Sequence, residues 1–397
     1  MPTTPQTNTA HPIPIVALCG FLGSGKTTLL RRWRQDKALS DTAYVVHDLS
    51  ELGLDAELLA TEDQTPEAGH LEGRVAALHG VHASDKLQSS LKKVLGQISD
   101  LSPSAPLVLC ESTGAARPWP LIKALTQDAR YFLRHFIVTV DALNLHRDFS
   151  NGRSLLLEAE DLGLAHPAME HAAQILAEQI AFSSIIILTK VDTLSEAVIN
   201  EQVRNLQQLH ATATIALSAR AGLTLSQLEN TPKPDLISLS SKAEKLGLLH
   251  QNSTADHVEA VILRDPRPFH PERLHAACQN HLGMGLYRTK GFLWMASRSA
   301  ETLLWQQSGS QISLELRGLW RSEIVNNPDG KLLPEEIEQL QEMLKNEHPI
   351  FGDRHNELTL IGIKRDREAF LSALKAALCT EEAVSYTHLT LPTTSRV

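Results

Sequence analysis

Three short stretches of this chain combine residue types and spacings that could do chemistry. Gly20-Phe-Leu-Gly23-Ser24-Gly25-Lys26-Thr27-Thr28 satisfies G-x-x-x-x-G-K-[ST], the pattern of a phosphate-cradling loop. Its glycines let the backbone turn tightly enough for several N–H groups to converge on an anion, aided by the N-terminus of the helix that follows. Lys26 would reach the β- and γ-phosphates, and the Thr27 hydroxyl would ligate Mg²⁺. The second stretch, Leu107-Val-Leu-Cys110-Glu111-Ser112-Thr113-Gly114, is an apolar run ending in a carboxylate three residues before a glycine. Beside a phosphate loop, Glu111 would order the Mg²⁺ shell or the attacking water, and the Gly114 N–H would sense the γ-phosphate. The third is Ile185-Ile-Ile-Leu188-Thr189-Lys190-Val191-Asp192. A carboxylate at 192 can accept two hydrogen bonds from the N1–H and N2–H₂ edge of guanine, a pair that adenine lacks. Lys190 would lay its aliphatic stem along the base, while Thr189 stands where a bracing asparagine is usual. Ser218 and Ala219, at the end of the next apolar run, could add a backbone contact to the guanine O6.

Elements must hold these stretches together, and the alternation of short apolar runs with longer helical patterns predicts βαβ units and a mostly parallel sheet. Strands are expected at Ile13–Cys19, Ala43–His47, Leu107–Cys110, Phe136–Val140, Ile185–Leu188 and Thr214–Leu217. Between them, Leu29–Gln35, Leu87–Ile98, Trp119–Ala129, Met169–Phe182 and Ala197–Leu209 carry helical periodicity. All three chemical stretches then fall at the carboxyl ends of strands, where ligands of such sheets bind. Residues 13–229 are read as this domain, and the Pro-, Ser- and Lys-rich stretch 230–254 as a linker. A smaller α+β domain is expected over 255–384, with strands at His257–Arg264, Gly291–Ser297 and Glu357–Ile363 and helices at Pro271–Asn280, Pro334–Asn346 and Arg367–Leu378. Residues 1–12 read as a disordered tail, and 385–397 as a disordered or non-native one.

Bulk properties narrow the class. A length of 397 residues suits two domains, and 42% hydrophobic with 21% charged residues is ordinary for a soluble globular protein. A net charge of −9 with no basic cluster argues against nucleic acid as a partner. No apolar run approaches the ~20 residues of a membrane span, and the N-terminus lacks the pattern of a signal peptide. The four cysteines, Cys19, Cys110, Cys278 and Cys379, are too scattered for a disulfide framework, which points to a reducing cytoplasm. Cys19 and Cys110 read as small buried hydrophobes, and Trp294, Trp305 and Trp320 as packing residues.

The combination resembles the CobW-like P-loop GTPases, a group associated with metal trafficking and metallocofactor assembly. The resemblance rests on G-F-L-G-S-G-K-T-T, E-S-T-G, T-K-V-D and the run Gln174–Asp192 with its Glu178-Gln179-Ile180. In the second domain it rests on Arg267-Pro-Phe-His270-Pro, Lys290-Gly-Phe-Leu-Trp294, and Gly352-Asp353-Arg354 through Ile361-Gly362-Ile363. It implies a GTP/GDP cycle with Mg²⁺ and slow hydrolysis, gating a client metalloprotein or a metal ion, with a homodimer left open. His47-Asp48-Leu49-Ser50-Glu51 stands in the family's switch, so Asp48 could join Thr27 and Glu111 as an oxygen ligand to Mg²⁺ and Glu51 could act beside Lys26 and Glu111 in catalysis. The chain departs from the family at His79-Gly80-Val81-His82-Ala83-Ser84, where a Gly-Cys-x-Cys-Cys motif is usual. With no thiolate there, His79 and His82 remain as candidate ligands for Zn²⁺ or Co²⁺; the 18 histidines of the chain are otherwise scattered. Two other readings stay open on the same residues. One is an ATP-dependent small-molecule kinase or ligase, the other a non-hydrolytic scaffold that binds nucleotide for structure.

Overall fold

A computed structural model describes residues 12–48, 71–72, 74–79, 84–101, 105–156, 167–246, 248–249, 258–282, 285–309, 311–326, 332–345, 347–349 and 351–380. The chain divides into two compact units at Asp256/His257. The terminal tails expected at 1–12 and 385–397 lie outside the described residues apart from Pro12.

In the first unit the expected parallel sheet is present. Its strands are β1 (Ile13–Gly20), β2 (Ala43–Asp48), β3 (Leu71–Glu72), β4 (Val75–His79), β5 (Val108–Glu111), β6 (Tyr131–Asp141), β7 (Ile185–Thr189) and β8 (Thr214–Ser218). Their order in the sheet is β3-β4-β2-β5-β1-β6-β7-β8, with every pairing parallel except that of β3 with β4. Strand β1 is central, and its β-branched, uninterrupted apolar run is what a strand buried on both faces requires. Residues 15–19 have no exposed surface at all. The helices are α1 (Lys26–Arg34), α2 (Ser84–Leu101), α3 (Pro118–Leu125), α4 (Ala142–Asp148), α5 (Pro167–Ala181), α6 (Glu196–Leu209) and α7 (Leu236–Lys245). Leu29, Leu30 and Trp33, one stripe of α1, pack on Val16 and Leu18 of β1 with Val46, Leu109, Ile137 and Ile187 from neighbouring strands.

The stretch expected to be a linker, 230–254, is corrected by α7. The Asp235 side chain accepts from the Ile237 and Ser238 amides, at 3.1 and 3.3 Å, and so caps the helix. Leu239 and Ala243 are buried, and the Lys242 ammonium bonds the Ala181 carbonyl at the end of α5. A Pro-rich entry disguised an element that packs as part of the first unit.

The second unit is a five-stranded antiparallel sheet of β9 (Val258–Asp265), β10 (Leu286–Leu293), β11 (Glu301–Ser308), β12 (Gln311–Leu319) and β13 (Asn356–Ile363), in the order β12-β11-β10-β13-β9. Helices α8 (Pro271–His281) and α11 (Lys364–Ala377) supply Leu274, Ala277, Phe370 and Leu374 to one core with Leu263, Leu303, Trp305 and Leu358 of the sheet. Two further helices, α9 (Arg321–Asn326) and α10 (Pro334–Leu344), precede β13. The strand expected at Gly291–Ser297 is placed earlier, as β10, and residues 296–298 turn instead. Trp294 and Trp320 form a separate aromatic cluster with Phe351, so the three tryptophans of this unit are packing residues. No described helix is long and apolar enough to cross a membrane.

Candidate functional site

At the carboxyl end of β1 the chain reverses through Gly20, Gly23 and Gly25, whose φ values of 140°, 77° and 91° lie where side chains are disfavoured. Gly20 is also fixed by space, since a Cβ there would sit 2.4 Å from the Thr139 carbonyl oxygen of β6. Gly25 is the N-cap of α1 and has no side chain to compete with an anion for the first-turn amides. Lys26 is buried and folds back over the loop, donating to the carbonyls of Gly20 at 2.7 Å and Phe21 at 3.2 Å. Ser24 is buried against the Thr139 hydroxyl at 2.6 Å, whereas Thr28 is exposed at the mouth of the loop.

Thr27 and Glu111 come together from residues 84 positions apart, with the Thr27 hydroxyl donating to Glu111 Oε1 at 2.6 Å. Glu111 is 2% exposed. Neighbouring ligands of an Mg²⁺ octahedron with metal–oxygen distances of 2.0–2.1 Å lie roughly 3 Å apart. A hydroxyl and a carboxylate at this separation are hard oxygen donors that fit such an ion. Beyond Glu111 the chain makes a tight turn over Thr113–Ala116, closed by the Ala116 amide on the Thr113 carbonyl at 3.2 Å. Gly114 in that turn lies directly against the phosphate loop: an added Cβ would meet Leu22 Cδ2 at 2.5 Å and Leu22 Cα at 2.7 Å.

The third stretch docks onto the first. Thr189 Oγ1 reaches the Ser24 carbonyl at 2.9 Å and the Val140 carbonyl at 3.2 Å. The hydroxyl in the asparagine's place therefore ties the end of β7 to the phosphate loop. Lys190 adopts φ 57° and forms an ion pair with Asp141, a buried residue whose other oxygen caps α4 through the amides of Leu143 and Asn144. Asp192 follows in a helical turn and is held by Arg220 Nε at 3.4 Å. Ser218 is the register partner of Thr189 and is buried, and Ala219 opens a turn closed by the Gly222 amide on the Ala219 carbonyl at 2.8 Å. Trp33 of α1 donates to the Leu223 carbonyl at 2.7 Å, fastening that turn to the phosphate-loop helix.

The switch and histidine positions are placed by backbone alone. Asp48 and His79 end β2 and β4 as register partners, and Val46 of β2 is the partner of Glu111. Glu51 and His82 lie outside the described residues. Among the described residues no cluster of three or more His, Cys, Asp or Glu is spaced to hold a metal ion. Cys19 and Cys110 are fully buried beside the loop. Burial raises both thiol pKa values, that of Cys110 to about 12, in keeping with small buried hydrophobes.

Several residues of the site were not singled out in the sequence. Asp141 carried a usable signal, an aspartate directly between an apolar strand and a helix. Thr139 and Leu22 carried none, because their roles follow from neighbouring strands and turns distant in sequence. Arg117 belongs with these, whereas Gln179 stood out only as part of the Glu178-Gln179-Ile180 run, without a role.

A family model described as "CobW/HypB/UreG, nucleotide-binding domain" matches residues 14–216, and one described as "Cobalamin synthesis protein cobW C-terminal domain" matches residues 258–378. Among curated proteins the chain is similar to the zinc-regulated GTPase metalloprotein activator 1 of Dictyostelium discoideum, 25% identical over 374 residues, covering 88% of this chain and 76% of that protein. It is likewise similar to the zinc chaperone CobW of Pseudomonas aeruginosa, 25% identical over 351 residues, covering 82% of this chain and 88% of that protein. Among solved structures, the Zn(II)-bound YjiA GTPase from E. coli matches with 19% identity and a TM-score of 0.39, over 92% of this chain and 99% of that one.

Proposed function

Since this chain belongs to the CobW/HypB/UreG nucleotide-binding family, with a cobW C-terminal domain behind it, we propose that it is a Mg²⁺-dependent GTPase whose cycle gates delivery of a metal ion to a client protein. The observation that carries the guanine reading is the bond from Thr189 to the Ser24 carbonyl. It fixes the loop bearing Asp192 onto the loop bearing Lys26, so that base and phosphates are read by one connected body. In this reading the first-turn amides of α1 and Lys26 bind the phosphates. Lys26, which donates to the Gly20 and Phe21 carbonyls, would exchange those bonds for phosphate oxygens. Thr27 and Glu111 hold Mg²⁺, which when bound neutralises phosphate charge, and Asp48 ends the strand beside Glu111. Glu111 orders the shell or the attacking water, Glu51 acts from the switch, and Gly114 senses the γ-phosphate. Turnover is slow, because Arg117, the arginine after the Gly114 turn, is committed to Glu178 at 2.6 Å. An arginine supplied by a partner is worth roughly 10³–10⁵ in rate.

The cargo is proposed as Zn²⁺ or Co²⁺, supported by the zinc-related names of the two curated relatives. His79 and His82 are its proposed ligands in place of the missing thiols. For the nucleotide, binding of labelled GTP, GDP and ATP to wild type and Asp192→Asn is the direct test. Wild type should prefer guanine, and the variant should lose roughly 10- to 100-fold of that preference as the paired acceptors are removed. Equal use of ATP and GTP by the wild type, with no response to Asp192→Asn, would favour the kinase or ligase chemistry instead.

A further inference from the structure

Helix α5 carries two consecutive residues that grip the turn after Glu111. Gln179 has no exposed surface, and its Nε2 donates to the carbonyls of Gly114 at 3.2 Å and Ala116 at 2.9 Å. Glu178 forms a 2.6 Å ion pair with Arg117, the two side chains 9% and 15% exposed. The turn is thus held at residues 114, 116 and 117 from one side, while Leu22 of the phosphate loop closes on Gly114 from the other. A primary amide has two N–H groups, and both are spent here on the turn. Gln179 therefore has no donor left for a ligand.

We propose that Gln179 is the positioning residue of the phosphate-sensing turn, holding Gly114 at the place where the γ-phosphate of bound GTP is read. The proposal rests on the GTP reading above and deepens it. Fixing the Gly114 carbonyl fixes the peptide plane on one side of the residue, and the bond from the Ala116 amide to the Thr113 carbonyl fixes the turn around it. In that reading only the γ-phosphate of a triphosphate would reach Gly114. A loosened turn should therefore cost GTP and spare GDP, which a general loss of packing would not do.

The test uses the full chain with Mg²⁺ and fluorescent GDP or a non-hydrolysable GTP analogue, comparing wild type with Gln179→Glu and Gln179→Met. The first variant keeps the shape and faces both carbonyls with a carboxylate, and the second keeps the length without donors. Affinity for the triphosphate analogue should fall about 10- to 100-fold in both, with GDP affinity within about threefold of wild type. If Gln179→Glu does not fold, as judged by thermal melting, Gln179→Met decides alone. Parallel losses for both nucleotides, or an unchanged ratio beside a discriminating wild type, would overturn the role of Gln179. A wild type that binds neither guanine nucleotide would overturn the GTP reading beneath it, and the proposal with it.

Discussion

Replacing Gly114 by alanine tests the closeness of the phosphate loop to the sensing turn with a single methyl group. The new Cβ would lie 2.5 Å from Leu22 Cδ2, 2.6 Å from Cγ and 2.7 Å from Cα. Carbon atoms pack at about 3.5–4.0 Å, so the two segments must part by roughly 1 Å. Rotating the Leu22 side chain cannot relieve the contact with Cα, which is backbone. Overpacking of this kind costs about 1–3 kcal/mol, equivalent to a fall in Tm of roughly 2–12 °C for a unit of this size. The strain is concentrated where Gly114 meets the phosphate loop, so nucleotide affinity should drop more than tenfold while the far-ultraviolet circular dichroism spectrum stays that of the wild type. Leu22→Ala in the same chain removes Cγ and Cδ2 but leaves Cα, and should recover only part of the loss. Fluorescent-nucleotide titration and thermal melting read both quantities. A Gly114→Ala protein with wild-type affinity and Tm would refute the argument, because the turn would then have room that the geometry denies it.

The cargo and the pH response supply two further tests. Titrating Zn²⁺ and Co²⁺ into wild type and a His79→Ala/His82→Ala variant, with and without GTP, should show weaker binding in the variant and an effect of nucleotide in the wild type; equal affinities throughout would sink the histidine site. His135 of β6 is 2% exposed, and burial, aided by the charges of Arg134 and Lys233, pushes its imidazole from 6.5 down to about 4. The unfolded chain takes up a proton there below pH 6.5 and the folded one does not, so stability is complete above that value and is lost as the pH falls toward 4. The loss amounts to up to about 3 kcal/mol, measurable as a sloping urea-unfolding free energy that His135→Leu should flatten; an unchanged slope would remove His135 from the account.

Much of the first unit was legible because buried parallel strands are written as uninterrupted apolar runs, and each of the six expected there overlaps an observed strand. The phosphate loop was legible because its glycines must be glycines. Other elements were less so, each for a physical reason. Strand β4, Val-Ala-Ala-Leu-His, lacks the β-branched density of its neighbours. Strand β12 alternates Ile and Leu with Ser, Glu and Arg, and as an edge strand its residues are mostly exposed. The candidate site divides the same way. Lys26, Thr27, Glu111 and Asp192 are read from local spacing, whereas the Thr189–Ser24, Ser24–Thr139 and Gln179–Gly114 contacts join residues 165, 115 and 65 positions apart. A sequence pattern names the residues that meet a ligand. Those that hold them from behind are set by strand order, which pattern does not carry.

Strand order also bears on how a nucleotide could govern a cargo metal. Strand β2 lies between β5 and β4, with Val46 beside Glu111 and Asp48 beside His79. Two residues along a strand advance about 6.6 Å, and neighbouring strands are about 4.8 Å apart. The backbones of Glu111 and His79 are therefore separated by roughly 12 Å. At that distance the proposed Mg²⁺ ligands and the proposed histidine ligand lie at neighbouring strand ends of one sheet. In the proposed reading, a Mg²⁺ held by Thr27 and Glu111 and a transition metal held by His79 would flank the strand that ends at Asp48.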